Sequence, residues 1–180
     1  MYKVKLFLLM IFLLLSCNKK DSNGYTNFTI KKGNHKSSIA LEYTDKQTFN
    51  FTVEFDSSAI YKTQYPEDQY DVNKLIGISD GGFHERNSAR FGWRWVDNNL
   101  ELMAYTHYQG NFYFDKITNL ELNKEYNCSL ILNDNYIFTC NGQTIIMKRW
   151  RNDKSNNYYL WPYFGGNETA PHTIKIKVKY

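Results

Sequence analysis

Residues 74–108, KLIGISDGGFHERNSARFGWRWVDNNLELMAYTHY, decide the fold. In the middle of this stretch Ala89, Phe91, Trp93 and Trp95 fall on one side of a strict period of two. Ser88, Arg90, Gly92 and Arg94 fall on the other, the pattern of a strand with one buried face. Asn98 and Asn99 tolerate the positive φ angles of a two-residue turn, and the alternation then resumes. Leu100, Leu102 and Ala104 share one side, and Glu101, Met103, Tyr105 and His107 the other. A turn at 98–99 predicts a hairpin that sets Trp95 against Leu102 and Trp93 against Ala104. On the opposite face it sets Arg94 against Met103, Gly92 against Tyr105 and Arg90 against His107. Arginine, tyrosine and histidine form an odd set for a face that only needs to be wet. Arg90, Arg94, Tyr105 and His107, with His84 from the loop ahead of them, are therefore the candidate ligand-binding residues if this face is exposed; the alternative is that Arg90 and Arg94 pair with Glu101 and shield aromatic edges.

The chain on either side of the hairpin is also strand-like. Residues 25–31 place Phe28 and Ile30 in phase, and 38–44 do the same with Ile39, Leu41 and Tyr43. In 47–56, Phe49, Phe51, Val53 and Phe55 alternate with Thr48, Asn50, Thr52 and Glu54, as a sheet with one buried face requires. Residues 57–62 extend towards the sheet, and 64–73, with Pro66 and several acidic residues, read as a loop. Glu67, Asp68 and Asp71 in that loop are oxygen ligands of the kind Ca²⁺ takes, but they lack a regular ligand spacing, so no cofactor is assigned. The Gly81–Gly82 pair suits a tight turn or a close approach to a ligand. It is not a phosphate loop, because the Lys and Ser/Thr that should follow are missing.

After the hairpin, residues 109–111 turn into 112–115, and a short piece surrounds Leu120 and Leu122. Residues 126–132, 136–140 and 143–149 form a meander with turns at 133–135 and at Asn141–Gly142. Its apolar positions supply a second layer to close on the first. Cys128 and Cys140 lie symmetrically about Asp134, hence directly opposite if the loop holds three residues. Facing positions sit about 4.5–5.5 Å apart, within disulfide range; two buried free thiols are the alternative. The aromatic run YYLWPYF at 158–164 is too apolar for a solvent loop, although Pro162 argues against a central strand. In 173–180, Ile174, Ile176 and Val178 alternate with Lys175, Lys177 and Lys179, a lysine row that keeps one face solvated and discourages edge pairing.

Residues 1–17, MYKVKLFLLMIFLLLSC, combine a lysine-bearing start with an apolar run too short to cross a bilayer of about 30 Å, the pattern of a secretory leader. Leu14, Leu15, Ser16 and Cys17 resemble the lipobox of bacterial lipoproteins, which implies a lipidated Cys17, a tether over 18–24, and anchoring to the bacterial cell envelope at the outer membrane. An ordinary leader with an incidental cysteine is the alternative. An exported chain is free to form disulfides.

Composition bounds the rest. A chain of 180 residues with 17% aromatics has material for one packed domain, here 25–180. The mean hydropathy of −0.59 alongside so many rings suits strands that each bury one side and wet the other. The net charge is +4, of which Lys3 and Lys5 belong to the leader. A general nucleic-acid binder needs a clustered basic face with a pI above about 9, so nucleic acid is excluded.

Many short antiparallel strands in two layers indicate an all-β sandwich or jelly roll. The alternating strands and the GWRW…LELMAY hairpin resemble concanavalin A-like jelly rolls, the fold of many lectins, laminin G-like modules and some polysaccharide lyases. That resemblance covers 25–180 and implies a concave sheet face that meets sugar chains. Within the group, Arg90 and Arg94 look like the paired arginines of alginate-lyase jelly rolls, where an acidic residue sits between them; here Gly92 takes that place. Those lyases also carry Gln and His two apart on another strand, where this chain has Tyr105 and His107. The resemblance implies arginines that neutralise a uronate carboxylate and a His or Tyr that takes the α-proton. Three functions follow: an envelope lipoprotein that binds an acidic glycan without catalysis, a small polysaccharide lyase using Arg90, Arg94, Tyr105 and His107, or a structural or protein-binding envelope lipoprotein.

Overall fold

The structure, a computed structural model, describes residues 20–37, 41–150 and 156–180. The leader, Cys17 and the first part of the tether lie outside the described residues, as do 38–40 of the strand expected over 38–44. The described residues form β1 (Thr26–Ile30), β2 (Thr48–Phe55), β3 (Asn73–Ser79), β4 (Asn87–Val96), β5 (Asn99–Tyr108), β6 (Asn111–Leu120), β7 (Tyr126–Leu132), β8 (Asn135–Cys140), β9 (Gln143–Lys148), β10 (Tyr158–Leu160) and β11 (Ile174–Lys179). Two antiparallel sheets result, one of six strands in the order β1-β11-β2-β7-β8-β9 and one of five in the order β10-β3-β4-β5-β6. This is the jelly-roll β-sandwich that the alternation predicts.

One core lies between the sheets. Phe49, Phe51, Val53 and Phe55 of β2 all point into it, as do Ala89, Phe91 and Trp93 of β4. Rings from the two sheets meet at offset or edge-on geometries, with centroids 5.0 Å apart for Phe51 and Phe91, 5.3 Å for Phe55 and Trp93, and 5.2 Å for Phe91 and Phe138. Burying such a side chain is worth about 1.5–3 kcal/mol, so the period of two in β2 and β4 alone fixes which face of each sheet turns inward.

The central hairpin keeps its faces but not its expected register. The turn sits at Asp97 and Asn98, with φ of 50° and 59°, one residue earlier than the Asn98–Asn99 pair. Trp95 therefore faces Leu100, Trp93 faces Leu102 and Phe91 faces Ala104. On the other side Arg94 faces Glu101, Gly92 faces Met103, Arg90 faces Tyr105 and Ser88 faces His107. Moving a two-residue turn by one position changes every pairing by two, which preserves the inward and outward sets. Asp tolerates the left-handed region almost as well as Asn, so the sequence pattern alone had two admissible turns.

Other expectations are corrected locally. Residues 111–120 form one continuous edge strand rather than a turn and a short piece. Residues 57–59 form a 3-10 turn capped by the Asp56 carboxylate, which accepts from the Ser58 amide at 2.8 Å, and the loop over 64–73 contains the 3-10 turn Pro66–Tyr70. Of residues 41–44 only Tyr43 pairs, in a single bridge to Tyr158. β11 lies between β1 and β2, so its lysine row solvates the face of an interior strand, and Lys177 pairs with Glu54 at 2.8 Å.

Cys128 and Cys140 face each other across β7 and β8 and form a disulfide, with Cα atoms 4.2 Å apart. The two sheets are also tied at one end by a buried ion pair that the sequence did not announce. The Asp80 carboxylate, fully buried just past β3, accepts from Arg149 Nε at 2.7 Å, from Arg149 Nη2 at 3.0 Å and from the Tyr136 hydroxyl at 2.7 Å.

Candidate functional site

The outer face of the five-stranded sheet is where the candidate residues gather. Its outward side chains stand in rows across the strands from β10 to β6. One row is Tyr158, Ser79, Ser88, His107 and Phe112, and the next is Leu160, Gly77, Arg90, Tyr105 and Phe114. A third adds Lys74, Gly92, Met103 and Lys116. The segment after β10 folds against the Lys74 end of β3, where the Lys74 amide donates to the Tyr163 carbonyl at 2.8 Å and the Tyr163 amide donates back at 2.9 Å. The loop at 81–86 supplies His84. It is pinned by the Gly81 amide, which donates to Asn157 Oδ1 at 2.8 Å, and by the Arg86 guanidinium, 4.6 Å from the centre of the Trp150 ring.

Arg90 is the centre of this cluster. Its Nε is buried and, among the described residues, has no hydrogen-bond partner. Tyr105, Tyr158 and Tyr163 surround it, and its charge acts on Lys74, His84 and His107. Burial pulls the Arg90 pKa down to about 10, which still leaves it cationic at neutral pH. Burial, then Arg90, pulls Lys74 down to about 8, with Asp71 acting weakly in the opposite direction. Lys74 Nζ donates to the Gly165 carbonyl at 3.2 Å and lies 4.9 Å from the centre of the Tyr105 ring. Among the described residues neither of these two neighbouring cations makes an ion pair, an arrangement that costs free energy unless an anion joins them.

The histidines remain neutral beside these cations. Burial, then Arg90, His84 and Lys74, pulls His107 down to about 4. Burial and Arg90 also lower His84. The single hydroxyl proton of Ser88 goes to the His84 carbonyl at 2.7 Å, so in the 3.3 Å contact between Ser88 Oγ and His107 Nδ1 the imidazole is the donor. That tautomer leaves a lone pair on His107 Nε2. His84 Nδ1 lies 2.7 Å from the Tyr158 hydroxyl, and burial raises the Tyr105 phenol above its usual range while Arg90 opposes it.

Arg94 stands apart from the site. Its Nε donates to Glu101 at 2.7 Å and its Nη1 to the Tyr70 carbonyl at 2.9 Å, and Lys116 takes the other Glu101 oxygen at 2.6 Å. The two arginines thus differ: Arg90 is half-buried, with a buried Nε that has no hydrogen-bond partner among the described residues, and Arg94 is committed to an ion pair. Gly92 between them cannot be the acidic residue of the alginate-lyase pattern, because a side chain there would overlap Val72 and the Asn73 carbonyl. The structure brings together Arg90, Tyr105, His107 and His84. It adds Lys74, Ser88, Tyr158 and Tyr163, which sequence reasoning missed. Lys74 read as the start of a strand, and the excess of rings in 158–164 was the one signal for the two tyrosines.

No protein-family model and no curated protein matches this chain. Solved structures do. The chain is similar to alginate lyase AlyC3, with a TM-score of 0.55 and 10% identity over 88% of this chain and 74% of that one. It is similar to a substituted form of alginate lyase A1-II′, with a TM-score of 0.52 and 13% identity over 89% of this chain and 79% of that one. At such identities the likeness shows the fold, a concanavalin A-like sandwich.

Proposed function

We propose that the outer face of the five-stranded sheet binds an acidic glycan, with a uronate carboxylate seated on Arg90 and Lys74. The observation that carries this reading is the buried Arg90 Nε, without a hydrogen-bond partner among the described residues, beside a second cation that likewise makes no ion pair there. A guanidinium presents a fork that matches a carboxylate, and the surrounding tyrosines suit sugar hydroxyls and ring faces. The fold shared with alginate lyases supports the choice of ligand class by analogy alone. Calorimetric titration with uronate oligosaccharides tests it. Binding should weaken as salt rises and vanish in Arg90→Ala; affinity unchanged by either overturns it.

A second reading, a lyase, has its own support in the neutral His107 with a free Nε2 and in Tyr158 held by His84. In that reading His107 Nε2 takes the proton α to the carboxylate. The electron pair left behind forms a carbon–carbon double bond and expels the glycosidic oxygen, and the Tyr158 hydroxyl protonates that oxygen while Arg90 holds the carboxylate charge. Ultraviolet absorbance of the unsaturated uronate separates the two readings: a rise that is lost in His107→Ala assigns a lyase, and binding without any rise assigns a non-catalytic site. The leader pattern supports placing this activity on a lipid-anchored envelope protein, with Cys17 as the acylated residue.

A further inference from the structure

The outer face changes character towards its free edge. β6 is the last strand of the five-stranded sheet, and edge strands are usually blunted by charge. Here its outward positions begin with Phe112 and Phe114, 61% and 45% exposed. Neither belongs to the core. Phe112 lies opposite His107 and Phe114 opposite Tyr105. The Phe112 ring is parallel within 4° both to Tyr105, at 6.2 Å, and to Phe114, at 6.4 Å. The exposed rings therefore continue the lining of the Arg90 cluster outward by one strand and lie two strand spacings, about 10 Å, from the β4 backbone that carries Arg90. A group resting on them is a different ring from the one whose carboxylate meets Arg90.

Charge at this end of the face points to the nature of that ring. Arg94 and Lys116, at this end of the face, are both engaged by Glu101, at 2.7 and 2.6 Å. Arg94 also lies 6.0 Å from the centre of the Phe114 ring. A second carboxylate placed over Phe112 and Phe114 would meet the negative faces of the rings beside cations that Glu101 already holds. An uncharged pyranose would instead bury its C–H face on them.

From this juxtaposition we infer that Phe112 and Phe114 form a stacking subsite for an uncharged sugar, so that the ligand is a mixed glycan running across the strands, with a uronate at Arg90 and a neutral unit at the β6 edge. The inference rests on the acidic-glycan reading and sharpens it from uronate chains in general to chains that carry neutral sugars as well as uronates.

The test is titration of the wild type, Phe112→Ala/Phe114→Ala and Arg90→Ala with two probes of equal length: a hyaluronan hexasaccharide, which alternates uronate and neutral units, and a hexamer of uronate alone. The wild type should bind the alternating chain roughly tenfold more tightly than the uronate hexamer. The double phenylalanine variant should erase that preference while retaining the wild-type melting temperature and the weaker affinity for the uronate hexamer. Equal affinity of the wild type for both probes, or a preference that survives the double variant, overturns the subsite while leaving the Arg90 reading intact. Binding of neither probe overturns both. A concentration-dependent dimer in sedimentation that the double variant abolishes would assign the edge to self-association and also overturn the subsite.

Discussion

Replacing Asp80 by Asn should be among the most damaging single changes outside the core. The carboxylate is fully buried and accepts three hydrogen bonds, two from Arg149 and one from Tyr136. The Arg149 side chain is itself 4% exposed. An amide keeps the shape but removes the charge and turns a donor towards the guanidinium, which leaves a buried cation without a counterion. Breaking one partner of such a pair costs about 3–5 kcal/mol. In a domain with about 5–15 kcal/mol of total stability that is a large fraction, and at about 2–4 °C per kcal/mol for this size it lowers the melting temperature by roughly 6–20 °C. Replacing Asp80 and Arg149 together with leucine removes the stranded charge, so the double variant should unfold well above the single one even though it has lost more native groups. Urea denaturation of the three proteins measures this. A single variant within about 1 kcal/mol of wild type, or a double variant less stable than the single, would refute the account of Asp80 as a buried charge held by its partners.

Three further outcomes follow from particular residues. Reduction of Cys128–Cys140, or its replacement by two alanines, should cost about 3 kcal/mol because the enclosed loop is short, and mass spectrometry of oxidised, folded protein should find neither thiol alkylated. His107 binds its proton less readily folded than unfolded, so its contribution to stability is intact above pH 6.5 and is lost as the pH falls towards about 4; an NMR titration midpoint at or above 6.5 contradicts the site geometry. Acylation of Cys17 should appear as palmitate-analogue labelling that disappears in Cys17→Ser, and labelling that persists in that variant rules the anchor out.

The fold was legible because burial acts on every second residue. Phe49 to Phe55 and Ala89 to Trp95 declare their inward faces regardless of which strand they pair with, and the symmetric placement of Cys128 and Cys140 about Asp134 survived because Leu132 pairs with Tyr136, with three residues between them around the turn. The hairpin register was not legible to within one turn position, since Asp97–Asn98 and Asn98–Asn99 satisfy the same local chemistry and give identical faces. The site was half legible. Arg90, Tyr105 and His107 share a local hairpin, so their common face follows from the alternation. Lys74, Tyr158 and Tyr163 reach Arg90 through β3 and β10 pairings that no local pattern encodes. The alternative pairing with Glu101 holds for Arg94, which the shifted turn brings directly opposite it, and not for Arg90, which faces Tyr105.

The central claim is that Arg90 is a half-buried cation, with an unpartnered Nε, awaiting an anionic sugar. Calorimetric titration of a uronate-containing oligosaccharide into wild type and Arg90→Ala, each at low and at high salt, tests it most directly. The account predicts saturable, salt-sensitive binding to wild type and none to Arg90→Ala, with the variant's fold verified by its circular dichroism. Equal binding by a folded Arg90→Ala variant, or no binding by wild type, contradicts it.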